Sequence, residues 1–255
     1  MKKCLFASIL IIFIFLTGCG KQEPVSLEYK TTEGEPPKYK VTLENKATIE
    51  GDGEEAEEAE EFADRLSISL DMTATIKTIK AEDGNLMHEL VVEAGKIKES
   101  GSGDEEEIDK GEDMDMTVEK NGEIEEPFSD LPGLSPTVIF PDEPVAPGAA
   151  WTEELEYSPA EKIDPLELEI NFTLEKFTTV NELKCAVIKF EVPETGIDRD
   201  KVKGTFASTG TMTFAYEKGM IVDFSAERNM TMKDPRPKSD IKLNFHQIVS
   251  IKMEK

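Results

Sequence analysis

The stretch Leu66-Ser67-Ile68-Ser69-Leu70-Asp71-Met72-Thr73-Ala74-Thr75-Ile76-Lys77 decides the fold. Apolar and polar residues alternate along its whole length, which places the apolar side chains on one face of a β-strand and the polar ones on the other. One buried face and one wet face are typical of an antiparallel sheet that covers a core on one side only. The stretch therefore predicts a half-buried strand in a mainly β protein.

Alternating runs flank this stretch on both sides. The residues on one predicted face are Tyr39, Val41, Leu43, Ala47 and Ile49 upstream, and Leu86, His88, Leu90, Val92 and Ala94 downstream. The downstream run follows a turn that contains Asp83-Gly84, and Asp-Gly between alternating runs is a strong hairpin signal. Before the quoted stretch, apolar residues recur at helical spacing behind a run of glutamates, which predicts a short amphipathic helix through Ala56, Ala59, Phe62, Ala63 and Leu66.

A similar design recurs about one hundred residues further on. Its apolar positions are Leu166, Leu168, Ile170, Phe172 and Leu174, then, after a bend at residues 180–182, Ala186, Ile188, Phe190 and Val192. Its lead-in, Ser158-Pro159-Ala160-Glu161, has the form of a helix start with a capping box and proline at the first helical position. We interpret the two stretches as an internal duplication; the alternative is that any two alternating strands look alike.

These patterns together predict an antiparallel curved sheet or half-barrel built from two duplicated halves, with one or two short helices. The predicted segments are a leader at 1–18, a tether at 19–37, a first β half at 38–126, a proline-rich connection at 127–151 and a second β half at 152–255.

The N-terminus carries the signature of export. Met1-Lys2-Lys3 precedes an apolar run from Leu5 to Leu16, which is too short for a membrane-spanning helix and typical of a secretory signal peptide. The sequence Leu16-Thr17-Gly18-Cys19 at its end resembles the lipobox of bacterial lipoproteins. The alternative is an ordinary signal peptide that a cysteine follows by chance.

The lipobox resemblance implies cleavage before Cys19 and lipidation of its thiol with acyl chains such as palmitate. Two acyl chains suffice for stable membrane anchoring where one does not. The protein would then be lipid-anchored in the cell envelope, on the extracytoplasmic side. Gly20 follows the anchor where inner-membrane lipoproteins often have aspartate, which implies the outer membrane, facing the periplasm, if the host has one.

Two further resemblances concern the body of the chain. The run Pro144-Val145, Gly148 and Trp151 resembles a segment of uncharacterised exported β-rich bacterial proteins. The predicted curved sheet with a short helix is similar at fold level to lipoprotein carriers of the LolA, LolB and LppX type. That resemblance implies an apolar ligand in the concave face, although a shared fold does not fix a shared function.

Composition excludes one class of partner and gives little sign of chemistry. The net charge of −25 argues against a nucleic-acid partner. Cys185 is the one cysteine left after leader removal and lipidation, so no internal disulfide is expected, and its apolar neighbours predict a buried, inert thiol. We expect His88 in the core or at its rim and His246 on the surface, and two histidines so far apart have no metal-ligand spacing.

The remaining candidate sites are also expected to be structural. The acidic block at 99–115 lacks the spacing of an EF-hand, so a flexible, solvated hairpin loop is preferred over a calcium site. Four methionines are interpreted as core filler in preference to a copper site: Met212, Met220, Met230 and Met232. We predict no catalytic residue, no cofactor and no metal site.

The resulting hypothesis is a membrane-anchored extracytoplasmic lipoprotein with a non-catalytic binding or envelope-structural role. Its expected partners are the membrane, through the lipid anchor, and an envelope protein or an apolar ligand. The first alternative is a carrier of a lipid or other apolar ligand in the concave sheet. The second is a hydrolase whose residues the sequence does not identify.

Overall fold

The computed structural model describes residues 22–51, 54–81, 85–126, 138–157, 166–199, 202–233 and 240–254. These ranges hold twelve strands and one helix. In chain order they are β1 (Lys38–Glu50), α1 (Glu54–Leu66), β2 (Ile68–Lys80), β3 (Leu86–Glu99), β4 (Glu105–Ile108), β5 (Asp113–Val118), β6 (Ile124–Glu126), β7 (Ala150–Tyr157), β8 (Leu166–Val180), β9 (Leu183–Arg199), β10 (Val202–Ala215), β11 (Met220–Lys233) and β12 (Lys242–Met253).

All of these strands belong to one antiparallel sheet. Its order is β6-β5-β3-β2-β1-β12-β11-β10-β9-β8-β7, and β4 pairs with β3 beside β5. The pairing of β1 with β12 runs from Tyr39 opposite Met253 to Glu50 opposite Lys242. The predicted mainly β, antiparallel fold is therefore confirmed, and the two predicted halves share a single sheet.

The strand order also bears on the predicted duplication. Read in one direction across the sheet, the first half runs β6-β5-β3-β2-β1 and the second runs β11-β10-β9-β8-β7. Strands that are equivalent by sequence position therefore follow each other in the same order in both halves. The duplication remains a prediction, because the predicted helix start at 158–161 lies outside the described residues.

The sheet is strongly curved. The rings of His88 in β3 and Phe214 in β10 each lie with their centroids 5.1 Å from the ring of Tyr29. Five interstrand steps separate β3 from β10, which would place these side chains about 24 Å apart in a flat sheet. Because both rings contact Tyr29, they are no more than about 10 Å apart, so the sheet wraps around its own core.

Most predicted inward positions are buried, and one exception has a clear cause. Leu70, Met72 and Ala74 of β2 are buried as expected. Ala94 of β3, predicted to share a face with Val92, is exposed instead. A register shift after Thr73 leaves Glu93 as an extra residue in β3, and such a bulge reverses the facing of every residue that follows.

The predicted helix spans Glu54–Leu66, and its last turn is fixed to the sheet. The Asn45 side-chain amide donates to the carbonyl oxygen of Leu66 at 2.7 Å. The backbone N–H of Ala47 donates to Ser67 Oγ at 2.9 Å, and this hydroxyl donates to the carbonyl of Ala63 at 3.1 Å. These bonds hold α1 against β1.

Two expectations about irregular segments are wrong. The acidic block at 99–115 is not a loop throughout, because β4 and the start of β5 pair with β3, and Lys96 of β3 forms an ion pair with Glu105. The tether expected at 19–37 is not free of the body either. Leu27 and Tyr29 are buried in the main core, because residues 25–32 lie within the curve of the sheet.

Candidate functional site

The candidate site is the concave face of the sheet, and one of its ends is filled by the protein itself. Residues 25–32 and 138–145 enter this end, which we call the closed end. The backbone N–H of Tyr29 donates to the carbonyl of Lys120 at 2.8 Å, and that of Phe140 donates to the carbonyl of Asn121 at 2.6 Å. The Tyr29 and Phe140 rings lie 5.3 Å apart, and Phe140 lies 4.5 Å from Phe214. These side chains leave little room for a ligand here.

The proline-rich run from Pro144 to Trp151 attaches the filling segment to the sheet. Val145 and Val25 exchange two backbone hydrogen bonds of 2.9 Å. Gly148, with φ of +91°, donates its N–H to the carbonyl of Leu174 at 2.7 Å. Trp151 donates its indole N–H to the carbonyl of Ile139 at 2.8 Å. Val145, Gly148 and Trp151 of this run therefore each make a hydrogen bond that stabilises the closed end.

His88 is a buried core residue, as expected from its register. Its Nδ1 lies 2.7 Å from the hydroxyl of Thr78, and its ring meets Tyr29 edge to face. Burial lowers the pKa of His88 to about 4, because the charged form would lose its solvation. A histidine with this pKa is neutral at pH 7 and a weak base, so His88 is poorly suited to general base catalysis there.

The opposite end, near the start of β12, is less completely filled, and we call it the open end. Ile197 and Phe206 are buried at this level of the sheet. The other inward apolar side chains named here are only half-buried: Ile49, Met230, Met232, Leu243 and Phe245. Deeper on the same face, Arg228 is buried and donates to the side-chain oxygen of Gln247 at 2.9 Å. Ser208, which pairs with Arg228, is also buried. Apolar side chains at the opening and polar side chains deeper on the same face suit a ligand that has both an apolar part and a polar part.

Neither the inward Arg228 nor the packed segment at 25–32 was predicted from the sequence. The alternation Phe224, Ala226, Arg228 in β11 carries the signal for an inward arginine, although arginine is seldom buried. Val25, Leu27 and Tyr29 also alternate, which is a strand-like signal inside the predicted tether.

Two other singled-out residues, His246 and Cys185, lie where they were expected. His246 is on the outer face, with Nδ1 2.9 Å from the Asn229 side-chain oxygen. Cys185 is fully buried beside Ala215 and Val222, and burial raises the pKa of its thiol. Of the four methionines predicted as core filler, Met212 is buried, whereas Met220, Met230 and Met232 are half-buried. A cavity of about 490 Å³ opens on the outer face near Cys185, and its rim carries Lys40 and Lys252 together with Asp223 and Glu254.

Among the residues that the structure describes, the carboxyl groups of Asp115 and Glu153 have a raised pKa, which is one mark of acid–base sites. Burial, then the nearby Glu89 and Asp113, raises the pKa of Asp115. Burial, then Asp142 and Glu123, raises the pKa of Glu153. Partial burial and mutual repulsion in a highly acidic chain account for both.

Cys19, the predicted lipidation residue, lies outside the described residues. In the ranges that the structure describes, no three His, Cys, Asp or Glu side chains are grouped to hold a metal ion, and no helix is long and apolar enough to cross a membrane. No protein-family model matches the chain, and no curated protein is similar to it.

Proposed function

We propose that the protein is a lipid-anchored protein of the cell envelope, acylated at Cys19 and held on the extracytoplasmic side, with a non-catalytic binding or structural role. The observation that carries this proposal is the sequence Leu16-Thr17-Gly18-Cys19 directly after a short apolar leader. A cysteine at this position joins the two requirements for anchoring, an exported chain and a thiol that takes acyl chains.

The non-catalytic part of the proposal is supported by the concave face. Its closed end is filled by Tyr29 and Phe140. Its histidine is neutral at pH 7 and bonded to Thr78. Catalysis by a base or nucleophile needs such groups poised near a substrate-sized space. Neither His88 nor the filled closed end therefore supports the hydrolase alternative in the described part of the chain.

Metabolic labelling tests the proposal. Bacterial cells that express the full chain are grown with an alkyne analogue of palmitate, and membrane and soluble fractions are compared. We expect the wild type to be labelled and recovered with membranes, and Cys19→Ala to lose both properties. Cys185→Ala is the matched control and should keep both. An unlabelled protein with residues 1–18 still attached would contradict the proposal.

A carrier function is the second candidate, and the open end favours it. Half-buried Leu243 and Phe245 face inward there, with the polar pair Arg228 and Gln247 deeper in the face. Native mass spectrometry of the fragment 20–255, which retains every described residue, tests for a co-purified lipid. A carrier should also gain about 2.7 kcal/mol of stability with ligand at a hundredfold excess over Kd. A protein-binding module would show neither effect.

A further inference from the structure

We infer that the β body is held directly against the bilayer that carries its own anchor, with the closed end nearest to that bilayer. The inference rests on the proposed acylation of Cys19. The first observation is that the chain between the lipid and the folded body is short. Between Cys19 and Val25 there are only the residues at 20–24. A fully extended chain spans at most 3.3–3.6 Å per residue, so Val25 lies within about 20 Å of the lipidated residue.

The second step is that Val25 marks the beginning of the packed body. It exchanges two hydrogen bonds with Val145, and Leu27 and Tyr29 that follow are 3% and 4% exposed. Full burial of a side chain of this kind contributes about 1.5–3 kcal/mol. Pulling residues 25–32 away to lengthen the spacer would therefore forfeit several kcal/mol and open the core.

The third step is orientation. The segment at 25–32 bonds to Lys120, Gly219 and Thr78, which all lie at the closed end. β3 runs from this end to the other over 14 residues, which is about 45 Å at the rise of a strand. The turn after β3, around Ser102, therefore lies at the far end of the body, roughly 45 Å along the strand from the closed end. The partner that this placement fits is the membrane surface itself.

Charge does not supply this proximity. The chain has 54 acidic and 29 basic residues, so an anionic bilayer repels it. The covalent anchor and the short spacer are what hold the body down, and raised salt should therefore leave the distance unchanged.

Energy transfer to a labelled bilayer tests the inference. The acylated full-length protein is placed in phosphatidylcholine vesicles that contain a small fraction of lipid with an acceptor dye on its headgroup. A donor dye is attached at Ala146→Cys, beside Val145, or at Ser102→Cys; Cys185 is buried and does not compete. The matched variant carries an insert of roughly 20 glycine and serine residues after Glu23, which raises the root-mean-square reach of the spacer by about 15 Å and its limit by far more.

We expect strong transfer from position 146, weaker transfer from position 102, and a drop at position 146 on insertion. Equal transfer from 146 with and without the insert, or stronger transfer from 102 than from 146, would overturn the inference. Failure of the protein to carry acyl chains or to bind vesicles would instead refute the proposed function, so the two failures are distinguishable.

Discussion

The rings of Tyr29 and His88 meet edge to face, with centroids 5.1 Å apart and an interplanar angle of 67°. This contact joins a residue from the predicted tether to the third strand of the sheet. Aromatic pairs of this geometry contribute about 0.5–1.5 kcal/mol beyond the burial of their surface. The N-terminal segment is therefore part of the folded body, and its loss should be measurable.

Replacing Tyr29 by alanine should destabilise the fold by about 3–5 kcal/mol, because it leaves a large cavity between β3 and β10. Urea unfolding of the fragment 20–255, followed by circular dichroism, measures the change. Glu28→Ala is the neighbouring control, since Glu28 is half-exposed and its ion pair with Lys30 is on the surface; we expect a change within about 0.5 kcal/mol. Equal stability of the two variants would mean that residues 25–32 are a tether after all.

Stability should fall below pH 6.5 through His88. Its folded-state pKa of about 4 lies below the ordinary value of 6.5, so the unfolded state binds the proton more readily. The stabilisation is complete above pH 6.5 and is lost as the pH falls toward 4. At pH 4.5 this histidine should cost about 2–3 kcal/mol relative to pH 7.

The measurement is the difference in unfolding free energy between pH 7 and pH 4.5 for wild type and His88→Gln. The wild type should lose about 2–3 kcal/mol more than the variant, because carboxylate titration is common to both. Parallel pH profiles for wild type and His88→Gln would refute the assignment.

Glu182→Gly should stabilise the hairpin between β8 and β9. Asn181 and Glu182 have φ of 49° and 67°, as the two central residues of a turn with left-handed backbone. Glycine accepts this conformation without the clash of a Cβ atom, and we expect a gain of about 0.5–1 kcal/mol. Glu182→Ala removes the carboxylate but keeps the Cβ atom, so it should not gain stability. Thermal unfolding separates the two variants.

Gly122→Ala should be far more harmful than Gly103→Ala. Both glycines have positive φ, 93° and 71°, so alanine is strained at either position. A Cβ at Gly122 would in addition meet the carbonyl oxygen of Val138, whereas Gly103 has open space. We expect Gly122→Ala to cost about 1–3 kcal/mol more in urea unfolding, the usual penalty of overpacking. Equal costs would show that residues at 138–140 do not pack on this turn.

The local pattern of the chain predicted the strands well, because side-chain direction in a strand depends only on its own alternation. The run from Leu70 to Ala74 illustrates this. Which strands pair with each other, in contrast, could not be predicted from the local pattern. Tyr39 pairs with Met253 across more than two hundred residues, and nothing local to β1 indicates that choice. The bulge at Glu93 was equally hidden, since the residues on both sides of it keep a strand-like composition.

The site was less predictable for a related reason. Residues 25–32 are flanked by Pro24, Pro36 and Pro37, so they resemble a linker. Their burial depends on a space that only the curved sheet creates. Arg228 lies inward by register, although burial of an arginine is costly without a hydrogen-bond acceptor, and the acceptor Gln247 is on a different strand.

The pairing of β1 with β12 has a consequence for how the protein folds as it is synthesised. The middle of the sheet consists of the first and the last of the described strands, so its central ladder can form only when both are available. Contacts between residues so distant in sequence form slowly. A chain cut short before β12 would present β1 as a bare edge, which is a template for aggregation. Truncated products of synthesis should therefore be insoluble and be cleared by proteolysis.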